Sequence, residues 1–124
     1  MFTRNLMAEL TDWKIRGKRS PLILRGARQV GKTSLIRLFA KAQFDSIFEI
    51  NFEADKSFKA CFDTFDPHDI ILNIEKLSNE KIIAGKTLLF LDEIQESVNA
   101  ISALRYFKEK MPELHVIAAG SLLE

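Results

Sequence analysis

The chain has 124 residues, a length that suits one small domain or part of one. Hydrophobic residues make up 47% of it and charged residues 28%, which excludes a disordered chain, and no apolar run approaches the roughly 18 residues that a membrane-spanning helix needs. The single cysteine, Cys61, excludes an internal disulfide and a zinc site built from several thiolates. It favours a reducing, cytoplasmic setting.

Charge is distributed unevenly along the chain. The net charge is 18 − 17 = +1, but residues 1–43 carry 10 − 2 = +8 and residues 44–124 carry 8 − 15 = −7. The basic third could face a polyanion, or it could be ordinary surface decoration.

Helices and strands are expected to alternate in the first half of the chain. Leu6, Leu10 and Trp13 recur at the spacing of an amphipathic helix, and the apolar run at residues 22–24 is typical of a buried strand. The expected elements are, in chain order, a helix over about 3–15, a strand over 22–24, a turn over 26–31, a helix over 32–42 with Leu35, Ile36, Leu38 and Phe39 at helical spacing, and an alternating strand over 46–52.

The second half continues the alternation. Residues 53–65 indicate only a loop or a short helix, and Asp66 followed by Pro67 is a helix-start signal. The remaining elements are a helix whose apolar stripe is Ile70, Ile71, Ile74 and Leu77, a strand over 87–91, a helix marked by Ile101, Leu104 and Phe107, and a strand over 115–119 that Gly120 ends.

This pattern predicts an α/β domain with a mainly parallel sheet between two layers of helices. The strand at residues 87–91 is apolar throughout, as expected when helices cover both faces of a sheet. Because ligands bind at the carboxyl ends of parallel strands, the turns after Leu24, Leu91 and Ala119 should hold the chemistry.

The most specific motif is a glycine-rich loop between the first strand and the second helix. The pattern G-x-x-x-x-G-K-[ST] is matched without exception by Gly26, Ala27, Arg28, Gln29, Val30, Gly31, Lys32 and Thr33. The glycines let the backbone adopt conformations that side chains forbid and approach a phosphate closely, and the amides of the loop and helix N-terminus form an anion nest. The alternative is a glycine turn that only connects strand to helix.

Individual side chains of this loop have expected roles. Lys32 is placed to neutralise the β- and γ-phosphates, and the Thr33 hydroxyl is placed to ligate Mg²⁺. Arg28 either contacts a phosphate or is solvated on the outer face of the loop. Ser34 is a weaker candidate for nucleotide binding, because it also fits an ordinary first-turn residue of the helix.

A pair of acidic residues follows the third strand. Four apolar residues, 88–91, precede Asp92 and Glu93, which is the Walker B pattern of a buried strand that delivers a carboxylate to its end. Asp92 would hold Mg²⁺ through a water, and Glu93 would polarise the attacking water as a general base. Alternatively, Glu93 only caps the next helix. Gln95 is a further polar candidate beside it.

Other polar residues carry weaker expectations. Ser121, after the fourth strand, either senses the γ-phosphate or is an ordinary turn serine. His68 and His115 lack metal-like companions and are expected to be structural or surface residues, and Cys61 is expected in the core.

With both motifs in place, the chain resembles the P-loop ATPases of the AAA+ type. More narrowly, it is similar to prokaryotic AAA-domain proteins that read L-x-G-A-R-Q-V-G-K-T, F-L-D-E-I-Q and G-S-L-L-E, which stand here at residues 24–33, 90–95 and 120–124. The resemblance implies binding of ATP and Mg²⁺ by Lys32 and Thr33, with Asp92 as the metal-side acid and Glu93 as the catalytic base. In that group a C-terminal nuclease-like region usually follows the ATPase domain. Ser121 departs from the Asn that many AAA+ relatives use.

The resemblance also implies a sheet order of 5-1-4-3-2, of which this chain supplies strands 1 to 4. We therefore expect residues 1–124 to form an incomplete AAA+ ATPase domain, with the fifth strand, the arginine finger and the helical lid beyond Glu124. The first strand, at residues 22–25, should then be an open edge that favours self-association. Nucleotide binding by this piece should be weak and hydrolysis slow or absent.

Three functional hypotheses follow. The first is an ATP-binding domain whose full-length parent hydrolyses ATP with Mg²⁺. The second is a nucleotide-gated switch with little turnover that acts on a partner domain. The third is a nucleic-acid-binding protein, for which Arg16, Lys18 and Arg19 form the only basic cluster outside the loop. ATP is preferred over GTP because the chain has no N-K-x-D base-reading motif.

Overall fold

The computed structural model describes residues 2–17, 19–25 and 30–120, and the side chains of residues 6–17, 19–25 and 31–120. The elements in chain order are α1 (Phe2–Ile15), β1 (Leu22–Arg25), α2 (Val30–Gln43), β2 (Ser46–Asn51), the short 3₁₀ helix η1 (Lys56–Phe62), α3 (Pro67–Ser78), β3 (Thr87–Asp92), the 3₁₀ turn η2 (Ile94–Glu96), α4 (Val98–Lys110) and β4 (His115–Gly120). Each predicted strand is present within one residue of its expected bounds. The stretch that indicated only a loop or a short helix contains η1.

The strands form one parallel sheet in the order β1-β4-β3-β2. A parallel pair requires a long crossover, and a helix supplies one after each of the first three strands. The predicted α/β class is therefore confirmed, and the order agrees with strands 1, 4, 3 and 2 of the order implied by the resemblance.

Two apolar cores cover the two faces of the sheet. Helices α1 and α2 pack on one face and share a core made of Leu6, Leu10, Trp13, Leu35, Ile36, Phe39, Ala40, Phe44, Leu88, Phe90 and Ile117. Helices α3 and α4, with η1, pack on the other face, where the strands contribute Phe48, Ile50, Leu89, Leu91, Val116 and Ala118. Neighbouring residues of β3 thus point into opposite cores, which explains why this strand is apolar throughout.

The start of α3 follows the predicted signal. The Asp66 side chain accepts a hydrogen bond of 2.9 Å from the His68 amide, and Pro67 occupies the first turn. Because a free amide at a helix start is costly, this cap fixes where the helix begins.

Two leucines depart from the apolar stripes that the sequence indicates. Leu38 is 59% exposed and Leu77 is 51% exposed. On α2 the buried stripe runs through Leu35, Ile36 and Phe39, so Leu38 is rotated away from the sheet. Leu77 follows the last buried residue of α3, Ile74, and lies outside the contact with the sheet.

Strand β1 lies at an edge of the sheet. Within the described ranges it pairs only with β4, and the neighbouring α1 contributes to the core on one face of the sheet. Ile23 is 39% exposed there. None of the helices within the described ranges combines the length and apolar character that crossing a membrane would require.

Candidate functional site

The carboxyl edge of the sheet brings the ends of β1 and β3 to one level. Leu91 on β3 is in register with Ala118 on β4, which in turn is in register with Ile23 on β1. Asp92, one residue further along, therefore stands level with Leu24, two strand spacings or about 10 Å away.

Lys32 lies at this same edge, in the first turn of α2. Its ammonium donates a hydrogen bond of 2.7 Å to the carbonyl of Arg25, the last residue of β1. The predicted loop residues Gly26, Ala27, Arg28 and Gln29 lie outside the described residues. The helix itself begins at Val30, so the N-terminal turn and the lysine ammonium face the end of β1 together.

The backbone conformation of Gly31 is not the special one that the sequence leads us to expect for a glycine of this loop. This residue lies inside α2, and its φ is not in the left-handed region, so its backbone angles do not demand glycine. A Cβ built on it would meet no atom of the described residues within 4 Å. As far as the described residues show, the absence of a side chain keeps this backbone accessible, which suits close approach by a ligand.

The hydroxyl residues after Lys32 differ in burial. Thr33 is half-buried and Ser34 is exposed, both in the N-terminal part of α2. Ser121 lies outside the described residues, directly after the buried Gly120 that ends β4.

Asp92 ends β3 as a half-buried carboxylate. Its Oδ1 accepts a hydrogen bond of 2.9 Å from the Glu93 amide. Burial raises the pKa of Asp92, and the charges of Glu93 and Glu49 raise it further, while the amide bond and the Arg37 charge oppose this. A cation beside Asp92 would stabilise its charged form.

Glu93 turns the chain sharply at the end of β3. It is only 6% exposed, and its φ of +51° lies in the left-handed region, which is uncommon for a residue other than glycine. Its side chain makes no capping hydrogen bond to η2, the turn that follows. The geometry therefore does not support the alternative that Glu93 only caps the next helix. Its Oε1 instead accepts a hydrogen bond of 2.7 Å from Gln95 Nε2.

The sequence alone did not reveal the ion pair between Arg37 and Glu49 beside this site. Arg37 Nε and Nη2 donate hydrogen bonds of 2.9 and 2.8 Å to the two carboxylate oxygens of Glu49. These bonds and the Glu49 charge raise the pKa of Arg37, and the charge of Asp92 adds a smaller increase. A signal existed, because Arg37 stands four residues after Thr33 on α2, and Glu49 stands two residues before Asn51, the register partner of Asp92.

Of the basic cluster expected for nucleic acid, Arg19 lies beside the start of β4, at the end of the sheet opposite the carboxyl edge. The Arg19 guanidinium already donates hydrogen bonds of 2.8 and 3.2 Å to the backbone carbonyls of Arg16 and Glu113. Lys18 lies outside the described residues.

The remaining polar residues agree with the sequence expectations. His115 is buried, His68 is exposed on α3, and Cys61 is a buried core residue. No group of three or more potential metal ligands among His, Cys, Asp and Glu occurs within the described ranges.

A family model described as "AAA domain" matches residues 18–124. The chain belongs to this AAA-domain family. Membership supports an ATP-binding function of the AAA type. No curated protein matches the chain.

A solved structure supports the same fold. The chain is similar to the structure of PCH-2 from C. elegans, with a TM-score of 0.59 at 17% identity, over 99% of this chain. The chain spans 38% of the length of that protein. The similarity shows the AAA+ P-loop NTPase fold for this AAA domain.

Proposed function

We propose that this AAA domain binds ATP with Mg²⁺ at the carboxyl edge of the sheet and that the protein containing it hydrolyses ATP. The observation that carries the proposal is the position of Lys32, whose ammonium lies 2.7 Å from the last carbonyl of β1 at the N-terminus of α2. A triphosphate placed there would meet the lysine charge, the helix dipole and backbone amides together.

The residues fit a magnesium ion. The Thr33 hydroxyl and the Asp92 carboxylate are hard oxygen ligands, which Mg²⁺ prefers, and Mg²⁺ needs few protein ligands because it retains several waters. Asp92 is half-buried among other carboxylates, and this raises its pKa. When bound, the ion would neutralise phosphate charge.

The protein residues would act as follows. Lys32 exchanges the Arg25 carbonyl for β- and γ-phosphate oxygens, and Arg28, Ser34 and Ser121 are weaker candidates for further phosphate contacts. Glu93 accepts a proton from a water as the water oxygen forms a bond to the γ-phosphorus. The bond from that phosphorus to the β–γ bridging oxygen breaks, and its electron pair leaves with ADP.

A second function is a nucleotide-gated switch with little turnover. It is favoured by the burial of Glu93, which is only 6% exposed, because a water has little access to its carboxylate in this arrangement. The two functions differ in what they require of Glu93. Hydrolysis needs its carboxylate, whereas a binding switch needs only the nucleotide.

The Glu93→Gln variant separates these functions. If hydrolysis is the function, phosphate release should fall at least about a hundredfold, because general-base catalysis contributes about 10²–10⁴-fold, while ATP affinity remains. Phosphate release and ATP binding would be measured on the same preparations of the protein that contains this domain, with Glu96→Gln as the neighbouring control. Unchanged phosphate release in Glu93→Gln would contradict the general-base role.

The open edge of β1 also suggests a partner. We propose that a further strand, from a second copy or another part of the parent protein, pairs with β1 beside Ile23. Such pairing would cover this edge next to Lys32.

A further inference from the structure

Gln95 contacts the expected base directly. The left-handed backbone of Glu93 folds the chain back at the end of β3, and this lets side chains two residues apart meet. Gln95 Nε2 then donates a hydrogen bond of 2.7 Å to Glu93 Oε1. Since the donor is an amide and the acceptor a carboxylate, this bond is charge-assisted and stronger than a bond between neutral groups.

The oxygen of the Gln95 side-chain amide takes part in no hydrogen bond with the described residues. This oxygen, Oε1, is buried. An unpaired buried oxygen destabilises a fold, so a glutamine that served only packing would be better replaced by an apolar side chain. The polar contact that accounts for glutamine at this position is therefore the one with Glu93.

We propose that Gln95 is a positioning residue that fixes the Glu93 carboxylate for its reaction with water. The inference rests on the proposed function, because it assigns a task only if Glu93 acts on a water beside the γ-phosphate. A glutamate side chain has three rotatable bonds, and the Gln95 bond restricts it to one arrangement at the end of β3. Gln95 itself neither gains nor loses a proton.

The test compares Gln95→Met with the wild type. Methionine has a similar length and shape but cannot donate this bond. Gln43→Met is the matched control, because Gln43 is exposed at the end of α2, away from the carboxyl edge of the sheet. The measurements are the affinity for Mg²⁺–ADP, the affinity for Mg²⁺–ADP with aluminium fluoride, and the thermal midpoint. Aluminium fluoride mimics the γ-phosphoryl group under attack by water, so this readout does not require turnover.

Gln95→Met should bind ADP as the wild type does and bind the aluminium fluoride complex about tenfold or more weakly, because Glu93 is no longer held in place to contact the water beside the γ-phosphate mimic. Its thermal midpoint should change little, because the unpaired oxygen and the bond to Glu93 are removed together and their effects oppose each other. Gln43→Met should match the wild type in both affinities.

Several results would overturn the inference. Equal affinity of wild type and Gln95→Met for the aluminium fluoride complex would show that Gln95 does not position Glu93, and tighter binding would show that it restrains Glu93 instead. A wild type that binds the complex no more tightly than ADP would also refute it. If methionine lowers the midpoint, Gln95→Leu repeats the comparison.

Failure of the proposed function is recognised separately. If Lys32→Ala binds ATP as tightly as the wild type does, the nucleotide site itself is wrong. If ATP binding needs Lys32 but Gln95→Met retains affinity for the aluminium fluoride complex, only the role of Gln95 fails.

Discussion

Acid should destabilise this domain through one buried histidine that joins α1 to the start of β4. His115 Nε2 lies 3.0 Å from the Lys14 carbonyl, and Nδ1 lies 3.3 Å from Arg19 Nη2. Because the guanidinium can only donate, Nδ1 must accept and Nε2 must carry the hydrogen, so the ring is neutral. Trp13 and Phe44 pack edge-on against it.

The sign and size of the effect follow from the pKa of His115. Burial lowers this pKa below 6.5, and the charges of Arg19 and Lys14 lower it further, against the bond to the Lys14 carbonyl. The unfolded chain therefore binds a proton that the folded chain does not as the pH falls below 6.5. The free energy of unfolding decreases there, and the decrease levels off below the folded pKa. At pH 5.5 the loss from this residue is at most about 1.4 kcal/mol.

The assay is urea unfolding at pH 7.5 and 5.5. The wild type should lose up to about 1.4 kcal/mol more on acidification than His115→Gln, whose amide donates and accepts at both pH values without titrating. His68→Gln replaces the exposed histidine of α3 and serves as the control. Like the wild type, it should lose more free energy of unfolding on acidification than His115→Gln does. An equal loss in wild type and His115→Gln would refute the assignment of a neutral, buried ring.

Two further predictions concern the site and the sheet edge. Asp92→Asn should remove most of the gain in ATP affinity that Mg²⁺ provides and leave the ATP affinity in EDTA unchanged, because only the metal-side carboxylate is lost. ATP titrations with and without Mg²⁺ measure this gain. An unchanged gain would contradict the assignment of Asp92. Ile23→Lys should reduce self-association measured by light scattering, because a charge on the exposed edge of β1 opposes strand pairing. A wild type that is monomeric at all concentrations would contradict strand pairing between copies at this edge.

Local signals were sufficient for most of the architecture. The apolar run before Asp92 predicts a strand buried on both faces, and Asp66 with Pro67 predicts the start of α3, because both signals act within a few residues. The order of the strands came from the family resemblance, and the described sheet agrees with it.

The arrangement within the site depends on longer distances. Residue spacing places Arg37 on the Thr33 side of α2 and Glu49 on the Asn51 side of β2, but it does not reveal the rotation of α2 that brings the two side chains together. The left-handed Glu93 and its bond from Gln95 arise in a turn of non-glycine residues, for which the sequence has no conformational marker. Leu38 and Leu77 show the same limit, since an apolar residue on a helix does not indicate how far the neighbouring sheet extends.

The central claim is that the N-terminal turn of α2 binds a triphosphate through Lys32. Titration of ATP with Mg²⁺ into wild type and Lys32→Ala, with Lys41→Ala at the exposed end of α2 as control, tests it directly. We expect Lys32→Ala to bind at least about tenfold more weakly, because a charge-assisted contact to phosphate is lost, and Lys41→Ala to bind as the wild type does. Equal ATP affinity in all three proteins would contradict the claim.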